Sequence, residues 1–415
     1  MHISANLSNS VVLDKIKVIY LHTRTTTSDL QRDTFHISTL IFRIATAVLM
    51  FIAQGVSAQR LIIPESRNPI CWEVRPLYLQ DTVTIRFVGD IMMHTKQIET
   101  ALRSNGMHDF STYYRLMKDH LDGADLIAGN MEFTLGGEPH TGYPSFSAPD
   151  SYADYLAECG FNLFLCANNH IFDKGPEGVR RTIEKYGSMG INFTGAACDE
   201  DQQEGNNPLI INIKGIRLAF INATYGTNAF RGNGWPKTNI LSDRASLSKA
   251  LDIAESKADV TIAFVHWGEE YTLNHSEEQE KHAFWLAENG ADAIIGAHPH
   301  VIQEAETIRI EDRMIPVAYS LGNSVSNMSA ANTQAGLMLT LRIERRHNGD
   351  ITMLDPEYLY TWCSRPGGYG DSYHVIPLTG YIDKADEWKG RWDHEKMLAT
   401  YRRVREITGI NENTK

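Results

Sequence analysis

A chain of 415 residues with 42% hydrophobic and 22% charged residues has the composition of a globular protein, with enough chain for one large domain or two ordinary ones. Its net charge of −12 argues against nucleic-acid partners, which need a basic face, while leaving room for a phosphate-bearing substrate beside a bound cation. The five cysteines (Cys71, Cys159, Cys166, Cys198 and Cys363) are odd in number and show no CxxC spacing, so no disulfide framework is implied.

The first 58 residues read as separate from the fold. Arg43 precedes the short apolar run 44–53, and Val56-Ser57-Ala58 places small residues where a signal peptidase cuts. The expectation is export to the periplasm or outer cell envelope with cleavage after Ala58; an uncleaved membrane anchor is the alternative. From Thr82 to about Asn323 strand-like and helix-like runs alternate, the rhythm of an α/β sheet. Strand-like runs begin near Val83, Leu126, Asn162, Ile191, Leu209, Arg217, Val260, Ala293 and Ile315. Between them, 151–159, 177–189, 242–257 and 276–289 carry helical periodicity, with Ser242 or Asp243 able to cap the third and Gly290 stopping the last.

Lys214-Gly215 joins two extended runs as a hairpin turn, so part of the sheet is expected to be antiparallel. A second such pair, 334–344 and 351–359, flanks the turn 347–350. Residues 361–381, rich in Gly, Pro and Tyr, read as irregular, and 383–410 as a charged surface helix. The organisation predicted is an N-terminal extension with signal (1–58), a main domain (80–330), and a hairpin, loop and terminal helix packed on that domain (331–415).

Four polar clusters directly follow apolar runs. They are Gly89-Asp90, Asn168-Asn169-His170, His266-Trp267-Gly268 and Gly296-Ala297-His298-Pro299-His300. Carboxylate, amide and imidazole delivered to one sheet edge form a ligand set for a divalent metal. A hydrolytic two-metal site also needs a carboxylate able to bridge cations roughly 3.5–4 Å apart. Asp90, Glu132, Asn169, His266, His298 and His300 make up the candidate ligands. His170 is the candidate general acid, with Asp173 orienting it, and Glu270 and Asn323 are candidates for substrate contact. A plainer reading exists for each residue: Asp90 could cap a turn, Asn168-Asn169 could be turn residues, and a lone histidine is more often hydrogen-bonded structure. That plainer reading suffices for His108, His120, His275 and His282.

In order, the chain carries Val88-Gly89-Asp90-Ile91-Met92, Asn130-Met131-Glu132, the stretch 168–175, His266-Trp267-Gly268-Glu269-Glu270-Tyr271, Gly296–Gln303 and Ser320-Leu321-Gly322-Asn323. Together these resemble the CapA family of capsule and poly-γ-glutamate synthesis proteins, itself similar to the calcineurin-like metallophosphoesterases. The resemblance implies an α/β fold of metallophosphatase type, a two-sheet sandwich flanked by helices. It also implies one or two divalent ions (Mn, Zn or Mg). Asp90 resembles the first metal aspartate and Glu132 stands where a bridging aspartate is usual. His266 and His298 resemble ligands of one ion, and His300 a ligand of the other. Asn169-His170 resembles an asparagine ligand followed by a catalytic histidine. One position departs from the pattern. A histidine usually stands two residues after the first aspartate, and here it is Met92, with His94 two residues further on. The implied function is that of an exported, metal-dependent hydrolase acting on a phosphoester or anionic polymer, with membrane-bound synthesis and export components as partners. The alternative is a non-catalytic scaffold that binds polymer or partners in an export assembly.

Overall fold

The computed structural model describes residues 81–412, apart from 230, 231 and 233. The signal-like segment and Cys71 lie outside the described residues. Two β-sheets pack face to face. In the larger, the order from edge to edge is His374–Pro377, Glu357–Ser364, Ala335–Arg345, Asp81–Ile91, Leu126–Met131, Leu163–Leu165 and Asn192–Thr194; Asn323–Val325 pairs with Asp81–Ile91, and Ile351–Met353 with Ala335–Arg345. The smaller runs Ala305–Ile310, Arg313–Ala318, Ala293–Ala297, Val260–His266, Ile216–Thr224 and Leu209–Ile213. The two-sheet α/β sandwich flanked by helices is therefore present, with the mixed parallel and antiparallel pairing that the hairpin at Lys214-Gly215 predicted.

Strand alternation explains the layering. Val83, Ile85 and Phe87 share one apolar cluster with Leu126, Ala128, Leu163 and Leu165 of the same sheet and with Leu218, Phe220, Ile262, Phe264 and Ile295 of the other. This is the space between the sheets, bridged by the Phe87–Phe264 stack at 6.3 Å. Removing such a buried ring costs about 3–5 kcal/mol. The opposite parity faces outward. Ile127, Phe164 and Cys166 meet Tyr152, Leu156, Val179, Ile183 and Tyr186 from the helices Asp150–Glu158 and Gly175–Ser188. On the other outer face Ala263, Val265 and Ile294 meet Leu247, Leu251, Ala283 and Leu286 from Arg244–Lys257 and Glu277–Glu288. Asp243 caps the former helix, accepting from Ser246 N–H, and Ser276 and Gln279 form a capping box on the latter.

The C-terminal part departs from expectation in two respects. Residues 361–381 are not wholly irregular, because Glu357–Ser364 and His374–Pro377 are strands of the large sheet. The predicted partner of Ala335–Arg345 spans only Ile351–Met353, and Glu357–Ser364 pairs with the rest of it. The helix Arg391–Thr408 buries Met397 and Val404 against Tyr360 and Trp362. Among the described residues no helix is long and apolar enough to cross a membrane.

Candidate metal centre

The same alternation that builds the core delivers the polar residues. In the second strand Leu126 and Ala128 face inward, so Asn130 and then Glu132 continue that face beyond the apolar layer. In Val260–His266 the inward residues are Val260, Ile262 and Phe264, which makes His266 the next. Asp90 needs a correction to this rhythm. The register of Asp81–Ile91 slips between Val88 and Asp90 against its neighbour, a bulge that puts Ile91 in the outer cluster with Val88 and turns Asp90 inward. Gly89 permits it, because a Cβ there would lie 1.8 Å from the Gly322 carbonyl oxygen. Gly296 is equally constrained, with a Cβ 1.9 Å from the Tyr319 carbonyl oxygen. After Ala293–Ala297 the chain takes left-handed conformations at His298 (φ 98°) and His300 (φ 58°), strained backbone that aims both rings back into the sheet edge.

The predicted ligands converge. Asp90 Oδ1 accepts from Asn130 Nδ2 (2.7 Å), and its Oδ2 lies 3.1 Å from His300 Nδ1 and accepts from the His298 backbone N–H (3.3 Å). His300 Nδ1 also lies 3.0 Å from Asn323 Oδ1. With two acceptors around it Nδ1 carries the proton, which leaves the Nε2 lone pair 3.7 Å from Glu132 Oε1. His266 Nε2 is 3.8 Å from the same oxygen and 2.9 Å from Asn169 Oδ1, while its Nδ1 is 3.1 Å from Asn130 Nδ2. Three groupings each hold candidate ligand atoms within 4.8 Å of one another: Glu132, His266 and His298; Asp90, Glu132 and His300; and Glu270, His298 and His300. Glu132 belongs to the first two.

The charges and orphaned polar atoms of this cluster fit a cation. Glu132 is fully buried, and neither of its carboxylate oxygens has a hydrogen-bond partner; His298 Nδ1 is likewise buried and partnerless. Burial, reinforced by Asp90, pushes the Glu132 carboxyl well above its usual range. Burial, reinforced by His300, pulls His298 down to about 3 and also lowers His266, so both stay neutral imidazoles. For His300 burial is the largest influence and opposes the charged form, but the hydrogen bond to Asp90, the charges of Asp90 and Glu270 and the bond to Asn323 together outweigh it and raise the group. Buried unsatisfied polar atoms are rare in folded proteins, and a carboxylate with two of them beside neutral imidazoles fits a divalent cation.

The remaining predicted residues fall around this cluster. His170 Nδ1 lies 2.7 Å from Asp173 Oδ2, which also accepts the Phe146 N–H at 2.7 Å, and His170 Nε2 faces Glu132 Oε1 at 4.0 Å. Glu270 is exposed at the rim. Asn323 is fully buried; its amide holds His300 and the Thr333 carbonyl (2.9 Å). Met92 is buried in the outer apolar cluster. His94 belongs to none of the three groupings: its Nδ1 is 3.1 Å from Gln97 Oε1 and accepts the Asn327 N–H at 3.3 Å, at the start of the helix Thr95–Ala101. His275, bonded to Glu304 and stacked on Tyr319, lies apart as expected.

Sequence reasoning missed several participants. Asn130 links Asp90 to His266, Asn168 holds the Met131 carbonyl (2.8 Å), and Asn228 Nδ2 reaches His170 Nε2 (3.4 Å). Exposed Tyr225 packs its ring 4.6 Å from that of His298, with Tyr271 6.2 Å from His300 and Tyr143 6.5 Å from His170. The signal available for Asn130 was its parity with Glu132; for Tyr225 it was the position just after Ile216–Thr224, at the same sheet edge.

The family model described as bacterial capsule synthesis protein PGA_cap matches residues 84–328. The capsule biosynthesis protein CapA of Bacillus anthracis is 29% identical over 286 residues, which is 65% of this chain and 65% of that protein, so the match spans just under two thirds of that relative. The PGA biosynthesis protein CapA of Bacillus subtilis is 25% identical over 295 residues, 67% of this chain and 73% of its own. Among solved structures, the NAD nucleotidase of Haemophilus influenzae aligns with TM-score 0.43 and 13% identity over 79% of this chain and 60% of that one.

Proposed function

The chain belongs to the bacterial capsule synthesis protein family, and from that premise we propose that it acts on an anionic polymer of the poly-γ-glutamate kind. On this reading it hydrolyses a phosphoester or polymer bond at a centre of one or two divalent ions (Mn, Zn or Mg). Glu132, His266, His298 and Asn169 would hold one ion; Asp90, Glu132 and His300 would hold the other. The observation that carries this is the buried, partnerless Glu132 carboxylate, shared by both groupings. Divalent ions held there would supply Lewis-acid activation of water and would neutralise the charge of an anionic ester.

The chain's own residues supply orientation and proton handling. Asp173 takes the Nδ1–H of His170, fixing the ring so that Nε2 faces the cluster. Protonated at Nε2, His170 donates to a leaving oxygen; Asn228, 3.4 Å away, steadies the ring between turnovers. Tyr143, Tyr225 and Tyr271 surround the opening with phenols able to pack along an extended substrate. Export is part of the proposal and rests on the signal-like pattern of residues 43–58. Partners in it are membrane-bound components of polymer synthesis and export. Edman sequencing of the protein from the envelope fraction tests this, with Gln59 as the expected N-terminus.

Met92 favours a second reading, a metal-holding scaffold that grips polymer or partners without hydrolysis, because the core occupies the position of a usual ligand. Phosphodiester hydrolysis with added Mn²⁺, Mg²⁺ or Zn²⁺ separates the two. Turnover that disappears in His170→Ala while metal stays bound supports the enzyme, and no turnover with metal bound leaves the scaffold.

A further inference from the structure

One cluster of cations sits at the sheet edge that carries the metal centre, with the buried Asp393 carboxylate acting on Lys396 from beyond ion-pair distance. Ala335–Arg345 runs antiparallel to Asp81–Ile91, so its first residues lie at the Asp90 end, and Glu357–Ser364 returns its last residues there. Arg365 Nη2 donates to Gln334 Oε1 (3.1 Å), and Lys396 Nζ donates to the same oxygen. Arg403 donates from Nε to Asn332 Oδ1 (3.1 Å). Lys396 and Arg403 stand seven residues apart on one face of Arg391–Thr408, with exposed Trp392 at its start. Among the described residues none of the three cations has a carboxylate within ion-pair distance. Asp393 is buried and bonded to Ser364, Trp362 and Gln334. Three cations converging on two neutral amide oxygens are unusual in a chain of net charge −12. The link to the centre is short: Gln334 follows Thr333, whose carbonyl accepts from Asn323, the residue that holds His300. At ~4.8 Å per strand the cluster lies roughly 10–15 Å from Asp90.

We propose that Arg365, Lys396 and Arg403 form a carboxylate-binding strip that holds a more distant part of an anionic chain while its reacting bond lies at the metal centre. This rests on the polymer reading above and adds a substrate-binding surface to it. Guanidinium and ammonium donors now shared by Gln334 are free to turn to carboxylates, the stronger charge-assisted acceptors.

The test is binding of fluorescein-labelled oligo-γ-glutamate to the full chain across a salt series, with bound metal measured in parallel. The wild type should bind with an affinity that falls as salt rises. An Arg365→Gln/Lys396→Gln double variant should bind at least about tenfold more weakly, with a flatter salt dependence and wild-type metal content. Arg403→Gln, at an exposed position, should show a smaller loss in the same direction even if the double variant folds poorly. Unchanged affinity and salt dependence in these variants would overturn the strip and leave the polymer reading standing. A wild type that fails to bind the oligomer would overturn both, and its metal content would show whether the centre survives them.

Discussion

Replacing Glu132 by Gln keeps the side chain's shape and removes the charge that burial and Asp90 oppose. In metal-free protein this substitution should stabilise the fold, because an uncompensated buried carboxylate is lost; the gain is about 1–3 kcal/mol. Over the roughly 330 described residues the unfolding entropy converts each kcal/mol to about 1.5 °C, so Tm should rise by about 1–4 °C. The sign with pH is fixed. Glu132 has a raised folded-state value, so its contribution is fully present below the unfolded value of 4.5 and is lost as pH rises. The advantage of Glu132→Gln should therefore be small near pH 5 and larger above pH 7. Adding metal should reverse the ranking. At a thousandfold excess over Kd the wild type gains about 4.1 kcal/mol, while the variant, lacking the ligand shared by both groupings, gains little. Thermal and urea unfolding with chelator, then with Mn²⁺, Zn²⁺ or Mg²⁺, gives all four numbers. A variant no more stable than wild type without metal, and equally stabilised with it, would refute the reasoning about this carboxylate.

Three further outcomes follow from the same geometry. His170→Ala should retain bound metal and lose about 10²–10⁴-fold in hydrolysis, with Asp173→Asn losing less, as read by phosphodiester turnover beside metal content. Met92→Leu should leave metal content unchanged and cost less than about 1.5 kcal/mol, because the thioether packs in the outer core; loss of metal would make Met92 a ligand. Burial lowers His94 and His374 to about 4, so the stability they contribute is present above the unfolded value of 6.5 and is lost as pH falls from there toward about 4. Urea midpoints of wild type and His374→Gln should converge across that window, and parallel curves would contradict it.

How far the sequence could be read depended on whether a residue's role was set locally. The apolar runs ahead of Glu132 and His266 read as strands ending at one sheet edge, so the arrival of both residues there was legible, while the sandwich followed from the family resemblance. The Lys214-Gly215 turn was legible for a local reason too, since both residues adopt positive φ. What escaped depends on register. The bulge that turns Asp90 inward exists only in the pairing with Leu126–Met131, and Asn130 matters because that pairing sets it opposite Asp90. Asn323, read as a substrate contact, is buried and holds His300, a role visible only once its loop is folded over the sheet edge. In 361–381 the many glycines and tyrosines masked two short strands that form by pairing with neighbours already in the sheet.

Metal content per chain, measured on wild type and His298→Ala purified without chelator, tests the central claim most directly. The account predicts one or two divalent ions in the wild type, and a clear loss in a variant that remains folded by circular dichroism. A wild type that takes up no ion under any addition, or a variant with undiminished content, would contradict it.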